Sequence, residues 1–132
     1  MKSCAVAYGA GSYVVSTSSS YDGYHVGWKA FDKSLCLTLS NPPVVCHWSS
    51  AANTYQGNPA SGPEAVYSGS ASTTVGGTAI AGEWVQIKLP SAVSISGYKL
   101  TPITLSPTGQ ARMPGQFVIA GSNDGSTWCL VD

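Results

Sequence analysis

Residues 82–90 read GEWVQIKLP, with Val85, Ile87 and Leu89 in one phase and Trp84, Gln86 and Lys88 in the other. Successive side chains of a β-strand point to opposite faces, so alternation with period two marks a half-buried strand. A helix would need its apolar residues three and four positions apart. The segment is therefore expected to be a strand whose Val-Ile-Leu face covers a core. Pro90 ends it, because proline cannot donate to the ladder.

The same period recurs along the chain. SYVVSTSSS (residues 12–20) places Tyr13 and Val15 on one face. SAVSISGYKLTPI (91–103) carries Val93 and Ile95 in one phase and Tyr98 and Leu100 in the other, and Gly97 at the switch predicts a β-bulge. QFVIAGS (116–122) pairs Phe117 with Ile119, and STWCLV (126–131) pairs Trp128 with Leu130. Between these last two, Asn123-Asp124-Gly125 is a hairpin signal, since glycine takes positive φ cheaply and Asn or Asp braces the turn. STTVGGTAIAG (72–82) reads as a strand or lead-in broken at Gly76-Gly77. GWKAFDKS (27–34) is the one helical candidate, and residues 40–82 are rich in Pro, Gly and Ser. No internal repeat is visible. The pattern predicts an all-β antiparallel sandwich with long loops at one end, as a single domain over residues 1–132 with 1–11 as a lead-in strand or arm.

Composition narrows the function classes. Charged residues make up 9% of the chain and the net charge is zero, against roughly 25% charged in ordinary domains. Five lysines and the lone Arg112 are scattered, which leaves little field to hold phosphate and speaks against nucleic acid or an anionic membrane as partner. No apolar run reaches the length of a bilayer span, so no membrane insertion is expected. The start, MKSCAVAYGAGS, lacks an apolar h-region and does not read as a signal peptide; an exported chain would leave by another route or belong to a longer protein. The cysteines are Cys4, Cys36, Cys46 and Cys129. Cys36 with Cys46 would close a short loop, Cys4 with Cys129 would tie the ends together, and four unpaired thiols is the equally open alternative.

Catalysis is not expected. The six acidic residues match no HExxH, G-x-S-x-G or phosphate-loop pattern, and Asp124 is committed to its turn. His25, His47, Cys36 and Cys46 match no recurring zinc spacing. Two loop stretches instead suit a sugar, which offers apolar C–H faces and a ring of hydroxyls and is held by an aromatic platform beside fixed polar groups. SSSYDGYHVG (18–27) presents Tyr24 and His25, and HWSSAANTYQGNP (47–59) presents His47, Tyr55, Gln56 and Asn58. TLSPTGQARMPG (104–115) would bring Gln110 and Arg112 to the same end in a jelly roll, Arg112 being able to fork onto vicinal hydroxyls or a carboxylate. Trp28, Phe31, Trp48 and Trp128 are expected in the core, and Trp84 half exposed.

Taken in order, VVSTSSSY (14–21), WKAFDKS (28–34), HWSS (47–50), GEWVQIKLPSAVSISGYKLTP (82–102) and RMPGQFVIAGSNDGSTW (112–128) resemble the discoidin family, the coagulation factor type C domains, which are close to the family 32 carbohydrate-binding modules. The Ser/Thr-rich wording looks most like copies on the surfaces of large DNA viruses and phages. The resemblance implies a galactose-binding-like jelly roll with ligand loops at one end, and a non-catalytic module that binds carbohydrate, lipid headgroups or protein. It also points to a structural calcium, with Asp32 and the carbonyl of Ser34 at the matching positions. A turn aspartate bonded to nearby amides is the plainer role for Asp32. Lys33 stands where the family often has glycine, Ile103 where sugar-binding relatives often have arginine, and LCLTLSNPPVVC (35–46) is an insertion.

Family domains usually continue past the strand that holds Trp128, so the last strands are expected from a longer chain, a partner or the N-terminal arm. The expected function is attachment to cell-surface glycans from an extracellular or virion surface. The alternative is an assembly module that binds other copies of itself or a parent virion protein.

Overall fold

The structure, a computed structural model, describes residues 10–34, 45–57, 66–101 and 113–132. Among them are eight short strands, in chain order β1 (Val14–Thr17), β2 (Tyr55–Gln56), β3 (Val66–Tyr67), β4 (Ser72–Val75), β5 (Thr78–Ala81), β6 (Val85–Lys88), β7 (Ala120–Gly121) and β8 (Cys129–Leu130). One 3-10 helix, Gly27–Ala30, is the only helical turn among the described residues. The strands join as antiparallel pairs: β1 with β6, β2 with β3, β4 with β5 and β7 with β8. The protein is thus all-β, and the described residues contain no helix long and apolar enough to cross a membrane.

The opening stretch forms β6 and pairs with β1 in the register Val14↔Lys88, Val15↔Ile87, Ser16↔Gln86, Thr17↔Val85. That register sorts the faces as the alternation predicts. Gln86 Nε2 donates to Ser16 Oγ at 2.7 Å on one face. On the other, Val15, Thr17 and Val85 lie against the start of the 3-10 helix. Gly27 is buried there, and a methyl in place of its hydrogen would sit 2.4 Å from Thr17 Cγ2 and 3.2 Å from Val15 Cγ1. The helix packs this tightly only because residue 27 has no side chain.

Gly76 and Gly77 turn the chain rather than break it. Both have positive φ, 58° and 84°, the requirement of the type I′ turn whose twist matches that of paired strands. β4 and β5 therefore form a four-pair hairpin, from Ser72↔Ala81 to Val75↔Thr78.

The C-terminal hairpin follows the expected turn. Asp124 Oδ1 accepts the N–H groups of Ser126 and Thr127 at 2.8 and 2.7 Å, and Gly125 adopts φ 76°. These bonds hold the Asp124 carboxyl well below the usual carboxylate range, the Thr127 amide contributing most. Pairing runs on past β8: Val131 N–H donates to Ile119 O at 2.7 Å, and Ile119 N–H to Asp132 O at 2.5 Å. Val75 bridges Trp128 in parallel, Gly76 N–H donates to Trp128 O at 2.9 Å, and Val75 is one of two buried apolar residues among those described, with Cys46 the other.

Three expectations are corrected. Residues 91–101 form no strand and are exposed, Ile95 to 59%. Alternation makes a strand only where a backbone partner completes the ladder, and this segment is held by side chains instead. Tyr98 stacks edge-on against Phe117 at 6.2 Å and donates its hydroxyl to the Asp132 carboxylate. Trp28 and Phe31 are exposed, at 44% and 39%, because the 3-10 helix turns its glycine to β1 and these rings away. Cys129 is a free, exposed thiol, so it does not tie the ends together, whereas Cys46 is in a disulfide whose partner lies outside the described residues.

Candidate functional site

Beyond Thr17 the polar run Ser18–Ser19–Ser20 leads from β1 into the first candidate loop. Continuing the β1–β6 register places Ser18 opposite Trp84 and Ser19 opposite Glu83. Ser18 N–H donates to Trp84 O at 3.0 Å, and Trp84 N–H to Ser18 Oγ at 2.8 Å. The two serine hydroxyls converge on Glu83 Oε2, that of Ser18 at 2.5 Å.

The loop then turns on Asp22. Its Oδ1 accepts the N–H of Tyr24 at 2.7 Å and of His25 at 2.9 Å, and lies 2.7 Å from His25 Nδ1. A carboxylate only accepts, so Nδ1 carries the proton and Nε2 is the free lone pair of the neutral ring. The His25 side chain is the main reason the Asp22 carboxyl sits below its ordinary value, with partial burial opposing it. His25 is also the middle ring of a short ladder, edge-on to Tyr21 at 5.2 Å and to His47 at 4.8 Å. Tyr24 projects beyond the ladder, 72% exposed.

The second loop is stitched to the first by one backbone bond and two between side chain and backbone. Tyr21 N–H donates to Ser49 O at 2.9 Å, Trp48 Nε1–H to Ser19 O at 3.0 Å and Ala51 N–H to Ser19 Oγ at 2.9 Å. Lys29 Nζ spans the pair, donating to Tyr24 O at 2.7 Å and Val45 O at 2.6 Å. Trp48 is half-buried, and its indole nitrogen has the partner such a position demands.

The second loop ends in β2, paired with β3 through Tyr55↔Tyr67 and Gln56↔Val66. Asn53 turns the chain at φ 62°, a conformation asparagine tolerates better than most. Its carbonyl accepts from Ser68 Oγ at 3.1 Å and Gln56 Nε2 at 3.4 Å. The Tyr55 and Tyr67 rings lie 5.1 Å apart, tilted by 53°. Tyr67 Oη donates to Glu83 Oε1 at 2.9 Å and accepts Ala71 N–H at 2.8 Å, while Glu83 N–H donates to Tyr55 Oη at 3.1 Å. Burial pushes the Glu83 carboxyl up, but the bonds from Ser18, Ser19 and Tyr67 outweigh it and the net shift is downward. Burial and then the Glu83 bond raise the Tyr67 phenol.

Of the residues expected from sequence, His25 and His47 meet ring to ring, Tyr24 lies next to them in the chain with its ring exposed, and Tyr55 and Gln56 stand on the β2–β3 pair. Asn58, Gln110 and Arg112 lie outside the described residues. Asp32 Oδ1 accepts Ser34 N–H at 2.8 Å, closing its own turn, with Lys33 at φ 56°. Among the described residues no three His, Cys, Asp or Glu side chains gather as a metal-holding group. Sequence reading missed Glu83, Ser18, Ser19 and Tyr67. The available signal was an acidic residue set one position before the alternating part of a strand, opposite a serine run, in a chain with few carboxylates.

An open cleft of about 400 Å³ lies elsewhere, between the Gly76–Gly77 turn and Trp128–Cys129. Its lining is hydroxyls, glycine, one indole and Cys129, and it contains none of the expected site residues. The loop cluster has the richer chemistry. Comparison of the chain with protein-family models, with curated proteins and with solved structures finds no match.

Proposed function

We propose that this chain is a non-catalytic carbohydrate-recognition module, built as a discoidin-like jelly-roll sandwich and displayed on an extracellular or virion surface. The observation that carries the reading is Tyr24, 72% exposed beside the Asp22–His25 pair. A solvent-facing phenol offers a platform for the apolar face of a sugar, and His25 Nε2 offers an acceptor already oriented by its carboxylate. Tyr55, 43% exposed, supplies a second ring. Loops stitched together by hydrogen bonds lose little freedom on binding, which favours affinity. A glycan array with the whole chain tests this. Binding that falls about tenfold or more on Tyr24→Ala supports it; unchanged binding, or none by a folded chain, overturns it.

Assembly is the second reading. Ile95, Val66, Leu130 and Val131 are exposed to 59, 67, 62 and 53%, an amount of bare apolar side chain that would suit a covering chain. A concentration-dependent oligomer that buries Tyr24 and Tyr55 would favour assembly over sugar binding.

A further inference from the structure

We infer that Glu83 is the positioning residue that holds the two candidate loops as one surface. The inference rests on the glycan reading for what that surface recognises, but not for the coupling itself. Glu83 ties the Ser18–Ser19 end of the first loop to the Tyr55–Tyr67 pair, beside the direct Tyr21–Ser49, Trp48–Ser19 and Ala51–Ser19 bonds between the loops. Toward the first loop, its Oε2 takes the hydroxyls of Ser18 and Ser19. Ser19 in turn carries the second loop, through Trp48 Nε1–H on its carbonyl and Ala51 N–H on its hydroxyl. Toward the β2–β3 pair, Oε1 takes Tyr67 Oη at 2.9 Å and the Glu83 N–H reaches Tyr55 Oη at 3.1 Å.

The chemistry favours a carboxylate. Three hydroxyl donors converge on its two oxygens. A carboxylate has four lone-pair directions and no proton, so it accepts them all, and charge-assisted bonds are stronger than neutral ones. Glutamine keeps the shape but replaces one acceptor oxygen with a donor NH₂, which confronts either the serine pair or Tyr67 with a hydrogen. The hydroxyls must then turn from donors to acceptors on one side and the charge is lost from all three bonds, which weakens the joint as a whole, while the Tyr55 bond, made by the backbone, stays. The placement is economical in sequence terms. Glu83 stands on the extension of β6, so its position is set by the β1–β6 register and not by either loop.

Hydrogen exchange on Glu83→Gln tests the inference. The reporter amides are Tyr21, bonded to Ser49 O, and Ser68, bonded to Thr54 O. The expected result is a rise of about tenfold in exchange at both, the scale of one lost charge-assisted bond, with the β4–β5 hairpin amides unchanged. Loosening of one reporter alone, or an equal rise in the β4–β5 hairpin, overturns it. Ser19→Ala with Tyr67→Phe, which retains Glu83 but removes two of its donors, is expected to reproduce the pattern if the joint and not the charge is what matters. Glycan affinity is then read on the same variants. In the wild-type chain, Tyr24→Ala and Tyr55→Ala are expected to be non-additive, and in Glu83→Gln they become additive. A wild-type chain that binds no sugar while both reporters still loosen together overturns the glycan reading and supports the coupling.

Discussion

Tyr67 Oη and Glu83 Oε1 lie 2.9 Å apart, and the same phenol oxygen accepts the Ala71 N–H at 2.8 Å. One hydroxyl thus joins the end of β3, the start of the β4–β5 hairpin and the approach to β6. Tyr67→Phe keeps the ring packed on Tyr55 but leaves the Ala71 amide and one carboxylate oxygen without this partner. The expected outcome is a lower urea midpoint with an unchanged slope, since the fold and its exposed area are retained.

Gly27→Ala is expected to destabilise by about 1–3 kcal/mol, the usual range for forcing a methyl into filled space. The new Cβ would stand 2.4 Å from Thr17 Cγ2, on a strand that its partner β6 holds in place. Thermal unfolding would show the loss. Gly23→Ala, where nothing lies within 4 Å, is the matched control and should cost little.

Gly77→Ala should cost roughly 1 kcal/mol or more, because a Cβ at positive φ meets the following carbonyl. Gly77 holds φ 84° and open space surrounds it, so the penalty is purely conformational. Gly77→Asn is expected to recover part of it, asparagine being the side chain that best accepts this region. Melting curves of the two variants check the order.

Acid should destabilise the protein as three carboxylates take up protons. Asp22, Glu83 and Asp124 all have carboxyls held below their ordinary values. Such a group binds more protons unfolded than folded, so its stabilisation is complete above the ordinary carboxylate range of about pH 4 and fades as pH falls through the lower folded value. Tyr67 and Tyr98 are held above 10.0 and act at the other end, stabilising fully below that pH and less above it. Melting temperature followed from neutral pH down to about pH 2 should fall, and Glu83→Gln should flatten that fall.

Cys129 should react with iodoacetamide in the native protein, whereas Cys46 should react only after reduction, because one is an exposed thiol and the other is in a disulfide. Peptide mass mapping before and after reductant distinguishes them.

Several elements were legible from local chemistry alone. The alternation at Val85 and Ile87 located β6, and Asn123-Asp124-Gly125 located the C-terminal turn. Gly76-Gly77 was seen as an interruption, but its meaning as a turn depends on what flanks it: two segments able to pair across it. Residues 91–101 show the opposite case, with a strand-like alternation and no ladder among the described residues. Tyr24, His25 and His47 were named as candidates because an aromatic platform beside planar polar side chains suits a sugar. Glu83 was not, because a lone glutamate before a strand looks like solvent-facing punctuation.

Sequence by itself determined the all-β character, the place of β6 and the turn chemistry, since period and φ preference act between residues close in the chain. Tertiary structure decided the rest. The approach of Ser18 and Ser19 to Glu83 spans more than sixty residues. The seating of Gly27 against Val85 spans nearly sixty, while Gly27 also meets Thr17 close by in the chain. Contacts at such separation depend on which strands pair and in what register, and a shift of one residue would point each of these side chains to the opposite face.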